Sequence, residues 1–127
     1  MEVRLVKRTI MHFELAADDV EKLAAFYRGV FDWKIDKMSS DGMDYWTIDT
    51  GEGEGTNGGM MKKTMPSQGI LDYFAVESVD EFSKKVTSMG GTVLMGKQAV
   101  PKMGWFAVCQ DPERNVFGLW EMDTNAA

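Results

Sequence analysis

Two side chains near the start of the chain have the chemistry of a functional site. His12 is the only histidine of the 127 residues, and Glu14 follows two residues later in the apolar stretch Ile10–Ala16. That stretch predicts a β-strand, in which residues two apart point to the same face. Because an unpaired carboxylate is costly to bury, Glu14 must either face a wet cleft or have a partner. In a cleft it could act as a general base, whereas His12 is either a ligand-contacting residue or a hydrogen-bonded structural one.

Aromatic side chains offer a second kind of site, the walls of a pocket for a flat or cationic ligand. The tryptophans that could form such walls are Trp46, Trp105 and Trp120, together with Tyr45 and Phe106. Side chains alternate between the two faces of a strand, so about half of this set is expected in the sheet core instead. The eleven methionines are expected to fill core gaps and line an adaptable pocket.

The predicted strands and helices that must position these residues occur in the same order in each half of the chain. The two predicted helices begin at Asp18 or Asp19 and at the capping box Ser78-x-x-Glu81, and the second helix ends at Gly90-Gly91. The predicted strands lie at 10–16, 33–38, 45–48, 60–61, 70–76, 92–95, 105–109 and 116–121. The order is β-α-β-β-β, twice, which predicts the α+β class.

The second half of the chain repeats the first at an offset of 59 residues. This offset aligns the helix caps, the apolar stripes of both helices and the strands centred on Trp46 and Trp105. It also sets Gly59 against Gly118. We therefore predict one domain built by internal duplication, with module one at about 9–62 and module two at about 69–122.

The closing hairpin carries the most specific sequence motif in the chain. It spans Met103 to Glu121 and reads MGWFAVCQDPERNVFGLWE, with Pro112 in a turn between two strands. Its Asp-Pro-Glu-x-Asn-x-Phe-Gly-Leu-Trp-Glu segment resembles the last hairpin of the vicinal oxygen chelate superfamily, which includes glyoxalase I, extradiol dioxygenases and bleomycin-resistance proteins. The resemblance spans nearly the whole chain. It implies two modules that form a curled mixed sheet around a cleft, with the helices outside, and the cleft holds a metal or a small molecule.

The same resemblance implies roles for single positions. Metalloenzymes of the superfamily place one ligand on the first strand and a glutamate on the last strand of each module, and the metal polarises vicinal oxygens of the substrate. On this pattern His12 is a first-strand ligand, with Glu14 beside it on the same face. Tyr73 is the matching residue of module two, or Phe74 if the register slips by one.

Both glutamate positions of that pattern are glycine in this chain, at Gly59 and Gly118. No complete divalent-metal site and no cofactor are therefore expected. A rearranged divalent-metal site would add another carboxylate, such as Glu121, to the two first-strand donors. However, Glu121 is an odd number of residues from Gly118, so in a regular strand its side chain faces away from the cleft. The two glycines would instead leave room for a ligand, with Trp120, which shares the parity of Gly118, as the best wall.

Composition narrows the class of partner. A net charge of −6, from 20 acidic and 14 basic residues, disfavours nucleic acid or an anionic membrane, since either needs a basic face. The single cysteine, Cys109, allows no intrachain disulfide and suits a reducing cytoplasm, and neither a signal peptide nor a membrane span is expected. Gly53 to Gly58 fits G-x-G-x-x-G, but the strand-like Met60-Met61 follows it, so phosphate binding is not predicted.

These observations predict a cytoplasmic small-molecule-binding protein of the vicinal oxygen chelate fold. The predicted cleft residues are His12, Glu14, Trp46, Gly59, Tyr73, Trp105, Gly118 and Trp120. The alternative is a divalent-metal-dependent lyase, isomerase or dioxygenase that uses a rearranged site with His12. A purely structural dimer subunit is a third interpretation. Because members of the superfamily commonly pair, the resemblance also implies a homodimer.

Overall fold

The computed structural model describes residues 6–40, 43–51, 53, 55–64 and 68–127. Along these residues the element order is β-α-β-β-β, twice. The elements are β1 (Ile10–Ala17), α1 (Val20–Phe31), β2 (Lys34–Ser40), β3 (Met43–Asp49), β4 (Gly58–Lys62), β5 (Leu71–Ala75), α2 (Val79–Ser88), β6 (Thr92–Val100), β7 (Gly104–Gln110) and β8 (Val116–Met122). The predicted α+β class and the predicted element order are confirmed. In the described part of the chain, neither helix is long and apolar enough to cross a membrane.

The chain divides into two compact units. The first unit is Met11–Leu71, and the second is Asp72–Ala127 together with the described residues that precede Met11. In the first unit the strands lie in the order β2-β3-β4-β1, and only β1 and β4 are parallel. The second unit repeats this arrangement as β6-β7-β8-β5, with β5 and β8 parallel. Each unit therefore contains four strands, joined by two antiparallel pairings and one parallel pairing.

The strand registers of the two units are related by the offset found in the sequence. Glu14 lies opposite Gly59 in the β1–β4 pair, and Tyr73 lies opposite Gly118 in the β5–β8 pair. Both residues of the second pair are 59 positions after those of the first, and so is the first residue of the second helix. The predicted duplication is thus present in the hydrogen-bonded register, where a slip of one residue would exchange the two faces of a strand.

Each helix begins at a side-chain cap. The carboxylate of Asp19 accepts a hydrogen bond from the backbone N–H of Lys22 at 3.1 Å. The hydroxyl oxygen of Ser78 accepts one from the backbone N–H of Glu81, also at 3.1 Å. These bonds satisfy N–H groups that have no partner within the first helical turn. The predicted Ser78 cap is confirmed, and of the two candidate aspartates Asp19 is the cap.

The helices pack on their own sheets with part of the predicted apolar stripe left outside. The buried cluster of the first unit is Leu15, Ala17, Val20, Ala24, Ile35, Trp46, Ile48 and Met60, and that of the second is Val76, Val79, Ala107, Cys109 and Leu119. Phe26 and Phe31, although apolar residues of α1, are more than half exposed. Phe31 stacks on Trp33, with ring centroids 5.0 Å apart, and Trp33 in turn packs against the buried cluster.

Asp111 organises the predicted turn of the closing hairpin. Its Oδ1 accepts hydrogen bonds from the backbone N–H groups of Glu113 at 2.8 Å and Asn115 at 2.9 Å. Its Oδ2 accepts one from the Asn115 side-chain amide at 2.9 Å. The amide of Asn115 above all, and then the backbone N–H groups, hold the pKa of Asp111 below its ordinary value, because each bond favours the charged carboxylate.

The Ser78 cap can be tested by truncation. Ser78→Ala removes the acceptor for the Glu81 N–H, so we expect the free energy of unfolding to fall by about 1 kcal/mol. Ser83→Ala, in the interior of the same helix, is the matched control and should not destabilise, since alanine has the higher helix propensity. Urea unfolding followed by circular dichroism measures both. Equal stability of Ser78→Ala and the wild type would contradict the capping role.

The Asp111 turn predicts a pH dependence of stability. Its pKa is lower in the folded than in the unfolded chain, so its stabilising effect is complete above the unfolded pKa of about 3.9 and disappears as the pH falls through the folded pKa. We expect the stability of Asp111→Asn to fall less steeply with acidification than that of the wild type, measured by urea unfolding at a series of pH values. Asn115→Ala should show a similar reduced slope, and identical slopes for all three proteins would contradict this account.

Candidate functional site

Three polar side chains of the first unit meet on one face of its sheet, and we call them the His12–Tyr45–Glu14 triad. The phenol O–H of Tyr45 donates to Glu14 Oε2 at 3.0 Å, and His12 Nε2 lies 3.0 Å from the same phenol oxygen. His12 Nε2 and Glu14 Oε2 are 3.8 Å apart. A phenol has one proton, so when it is directed at Glu14 the imidazole N–H is the donor towards Tyr45.

Two strands that are not neighbours supply the triad. His12 and Glu14 project from the same face of β1, as their spacing predicts, while Tyr45 belongs to β3. The strand between them is β4, where Gly59 pairs with Glu14 on one side and with Thr47 on the other. Tyr45 is the diagonal neighbour of Gly59, two residues before Thr47, and its side chain reaches over β4 to the two β1 side chains.

Gly59 is what lets Tyr45 reach the triad. A Cβ atom at position 59 would lie 1.6 Å from the phenol oxygen and 2.1 Å from the ring carbon that carries it. No side chain at this position can coexist with the phenol where it stands. The expectation that Gly59 leaves room for a ligand is therefore wrong, because Tyr45 already fills that space and close packing favours filling it.

At Gly118, the matching glycine of the second unit, a different residue fills the space that a side chain would occupy. Its Cβ would lie 2.2 Å from the ring of Tyr73, which comes from the paired strand β5 and is buried. Gly104, at the offset of 59 from Tyr45, is covered in turn by Trp120, whose ring carbon Cζ2 would be 2.6 Å from a Cβ there. Phe106 meets Tyr73 edge to face at 6.3 Å. The expected room beside Gly118 is therefore also absent, and this face of the second unit is aromatic where the triad face is polar.

Trp120 combines aromatic packing with an unusual polar atom. Its indole N–H is buried and has no acceptor among the residues that the structure describes. A buried N–H normally finds a hydrogen-bond partner. Trp120 lies two residues after Gly118 on the same strand and so on the same face, as the sequence predicts, and the ring of Tyr73 fills the side-chain space of that glycine.

Trp46 and Trp105, the other two tryptophans predicted as pocket walls, belong to the helix-facing cores. Trp46 is buried in the cluster of the first unit, and its indole N–H donates to Glu21 of α1 at 2.8 Å. Trp105 packs against the buried cluster of the second unit and donates to Asp123 at 2.9 Å, a bond that holds the pKa of Asp123 below its ordinary value. Trp46 and Trp105 therefore lie on the helix side of their strands, and their place in a ligand cleft stays a prediction. Trp46 follows Tyr45 directly, so alternation sends it to the opposite face.

The donor set does not fit the divalent-metal centre that the family resemblance implies. Among the described residues, no three His, Cys, Asp or Glu side chains come together. Glu121, the carboxylate considered for a rearranged site, instead accepts a hydrogen bond from the backbone N–H of Val79 at 2.8 Å and supports the start of α2. His12 and Glu14 do come together as predicted, but their third partner is the phenol of Tyr45.

The triad is accessible and chemically versatile. The side chains of His12 and Glu14 remain 30% and 17% exposed, so water or a ligand can reach them. Together the three groups offer a carboxylate acceptor, a phenol and an imidazole that can each donate or accept a proton. Sequence reasoning placed Tyr45 among the aromatic walls and missed this polar role. Its diagonal position relative to Gly59 would have indicated the role only if the β3–β4 register had been known.

Known proteins related in sequence support the family. Residues 9–119 match the Glyoxalase/Bleomycin resistance protein/Dioxygenase superfamily. The chain is 31% identical over 116 residues to a Mycobacterium bovis protein named "Putative glyoxylase CFP32", covering 87% of this chain and 43% of that protein. It is 30% identical over 124 residues to "Anthracycline biosynthesis protein DnrV" of Streptomyces peucetius, covering 85% and 45%. The chain thus spans less than half the length of these curated relatives.

Solved structures share the fold at low sequence identity. Methylmalonyl-CoA epimerase from Mycobacterium tuberculosis superposes with a TM-score of 0.69 at 14% identity, over 97% of this chain and 93% of that one. Hypothetical protein BH1468 from Bacillus halodurans C-125 does so with a TM-score of 0.70 at 14% identity, over 94% and 98%. At this identity they show the fold alone. With the family match over residues 9–119, the chain belongs to the Glyoxalase/Bleomycin resistance protein/Dioxygenase superfamily, as the wording of its closing hairpin predicts.

Proposed function

We propose that the protein binds a small, hydroxyl-bearing molecule on the face of the first unit that carries the His12–Tyr45–Glu14 triad, without the divalent metal of the superfamily's metalloenzymes. One observation carries this proposal. The Tyr45 phenol occupies the side-chain space of position 59, where the family pattern has a metal-binding glutamate, and ties His12 and Glu14 together by hydrogen bonds. A partly exposed hydrogen-bonding set of this kind suits recognition of ligand oxygens.

The charge of the site indicates which ligands it prefers. A carboxylate only accepts hydrogen bonds, so Glu14 favours a ligand group that donates one, such as a phenol, an alcohol or an ammonium. The net charge of −6 disfavours polyanions. A methylmalonyl-CoA epimerase that shares the fold binds methylmalonyl-CoA, whose phosphates are such polyanions, whereas a relative in sequence is named for anthracycline biosynthesis. We therefore infer a hydroxylated aromatic ligand in preference to a coenzyme A ester.

Ligand titration tests this function directly. Doxorubicin, a hydroxylated anthracycline whose own fluorescence reports binding, is the probe, and methylmalonyl-CoA is the polyanionic comparison. We expect Glu14→Gln to weaken doxorubicin binding by about 10-fold or more, since a hydrogen bond to a charged group contributes about 1.5–3 kcal/mol. Tyr45→Phe, which loses a neutral hydrogen-bonding group, should weaken it by a smaller factor.

The controls separate the site from general charge attraction. Glu113→Gln makes the same charge change on the exposed hairpin turn, and Tyr27→Phe removes a phenol oxygen from α1. Both should bind doxorubicin as the wild type does. Equal weakening by Glu14→Gln and Glu113→Gln would overturn the proposed site, and so would a wild type that binds only methylmalonyl-CoA.

Gly59→Ala tests the position of Tyr45 without changing its chemistry. The added Cβ expels the phenol from its place, so we expect loss of the triad hydrogen bonds, a loss of stability of about 1–3 kcal/mol and weaker doxorubicin binding. Gly29→Ala is the matched control, because nothing lies within 4 Å of a Cβ at this position of α1. It should be neutral or stabilising, since alanine is the better helix former. Urea unfolding and ligand titration measure both variants, and unchanged binding by Gly59→Ala would contradict the role of Tyr45.

The second candidate function is the divalent-metal-dependent lyase, isomerase or dioxygenase with a rearranged site. The observation in its favour is that His12 and Glu14 lie side by side on an accessible face. Elemental analysis of untagged protein purified without chelators distinguishes the two functions. About one divalent ion per chain, lost in His12→Ala, would replace the first proposal by this one.

Pairing of two chains and a cytoplasmic location stay predictions from the resemblance and from composition. Light scattering coupled to size-exclusion chromatography would give the mass of the particle and so test the homodimer.

A further inference from the structure

The indole N–H of Trp120 is a polar group of the second unit that the triad site does not use. It is buried and has no acceptor in the described part of the chain. The indole N–H groups of Trp46 and Trp105, by comparison, donate to Glu21 and Asp123 at 2.8 and 2.9 Å. A buried donor without an acceptor is destabilising, so a molecule that supplies an acceptor to Trp120 gains free energy of binding there.

Trp120 shares one face of its strands with two other aromatic side chains, and we call Tyr73, Phe106 and Trp120 the aromatic face. Phe106 lies directly opposite Trp120 in the β7–β8 pair, and Tyr73 lies opposite Gly118, two residues before Trp120. Tyr73 is buried, whereas Phe106 and Trp120 are only partly buried. A planar ligand can therefore reach this face and pack against its rings.

The aromatic face is a property of its side chains and not of the strand pairing. The first unit has the same pairing, but at the offset of 59 residues its matching positions hold Glu14, Thr47 and Met61. A glycine also fixes the place of the indole. The benzene edge of Trp120 lies over Gly104, where a Cβ would be 2.6 Å from Cζ2 and 2.9 Å from Cη2. The residue that matches Gly104 in the first unit is Tyr45, so the position that supplies the phenol there leaves space for an indole here.

The chemistry of this face indicates the class of ligand. An indole N–H only donates, so the ligand must carry an acceptor. The net charge of −6 disfavours an anionic acceptor such as a carboxylate or a phosphate, and a neutral carbonyl oxygen suits both conditions. We propose that the second unit binds a planar, carbonyl-bearing aromatic molecule on the aromatic face, with the Trp120 N–H as the donor to its carbonyl oxygen. Because the N–H is covered while the residue is partly exposed, binding requires a change of side-chain rotamer on this face.

Proton–nitrogen NMR spectra of isotope-labelled protein test the donor at its own atom. Fluorenone and fluorene are the probes, because they share a planar three-ring skeleton and only fluorenone has a carbonyl oxygen. We expect fluorenone to bind about 5-fold to 10-fold more tightly, which is the effect of one hydrogen bond to an otherwise unpaired donor. The Trp120 indole proton signal should move downfield at saturation with fluorenone and not with fluorene. The signals of Trp46 and Trp105, which already have acceptors, should keep their positions.

Trp120→Phe identifies the signal and removes the donor while it keeps an aromatic ring. The preference for fluorenone over fluorene should disappear in this variant, and circular dichroism reports whether its fold is retained. Trp33→Phe makes the same change in the first unit, away from the aromatic face, and should keep the preference. If Trp120→Phe does not fold, the two probes and the Trp120 signal of the wild type decide the question.

The outcomes that contradict this site are distinct from those that contradict the triad site. Without a donor at the site, the more polar fluorenone would lose more hydration and bind no better than fluorene. Equal binding of the two probes, no binding of either, an unchanged Trp120 signal at saturation, or a preference that persists in folded Trp120→Phe would each overturn the proposal. Neither probe has a hydroxyl group for Glu14, so doxorubicin binding that depends on Glu14 would still support the triad site. A fluorenone-specific shift of Trp120 would likewise stand if Glu14→Gln left doxorubicin binding unchanged.

Discussion

The parallel pairing of β1 with β4 is the constraint on which the polar face of this protein depends. It sets Glu14 opposite Gly59, and the antiparallel pairing of β4 with β3 then brings Tyr45 within reach across one intervening strand. In a strand the side chains alternate, so a shift of either register by one residue would turn the triad members to different faces. The backbone pairing thus brings the three side chains together. The absence of a side chain at Gly59 then leaves the space in which the Tyr45 phenol forms its hydrogen bonds.

The features predicted correctly from sequence are those fixed by local chemistry. The Ser78 cap, the Asp111 turn and the order of strands and helices each depend on residues within a few positions of one another, and the structure contains all three. The Gly59–Gly118 correspondence also needed only the internal repeat. The partnership of Tyr45 with Glu14 could not be predicted, because it depends on how β3 and β4 align on either side of the loop after β3. The sequence pattern predicts vacant space at the two glycines, whereas dense packing lets an aromatic neighbour fill such a position.

The two units share one pattern of strand pairing but carry different side chains on the matching faces of their strands. Each has a parallel pair between its first and last strands, with a glycine on the last strand at the same register. In the first unit the ring over that glycine comes from the neighbouring antiparallel strand and carries a phenol to a histidine and a carboxylate. In the second unit Tyr73 covers the glycine from the parallel partner, and Trp120 covers Gly104. The first face is polar because His12 and Glu14 stand beside the covering ring, whereas the matching positions of the second unit hold Leu71 and Tyr73 itself.

The contact between Tyr45 and position 59 also restricts how this sequence can change over evolutionary time. A glutamate of the metalloenzyme pattern cannot enter at position 59 while the phenol stands there, because even a Cβ would overlap it. Loss of the phenol first would leave a void beside His12 and Glu14 and remove their shared partner. Either order of the two substitutions passes through a poorly packed intermediate. The two positions are therefore coupled through packing, so the residue at each one limits which residues the other accepts.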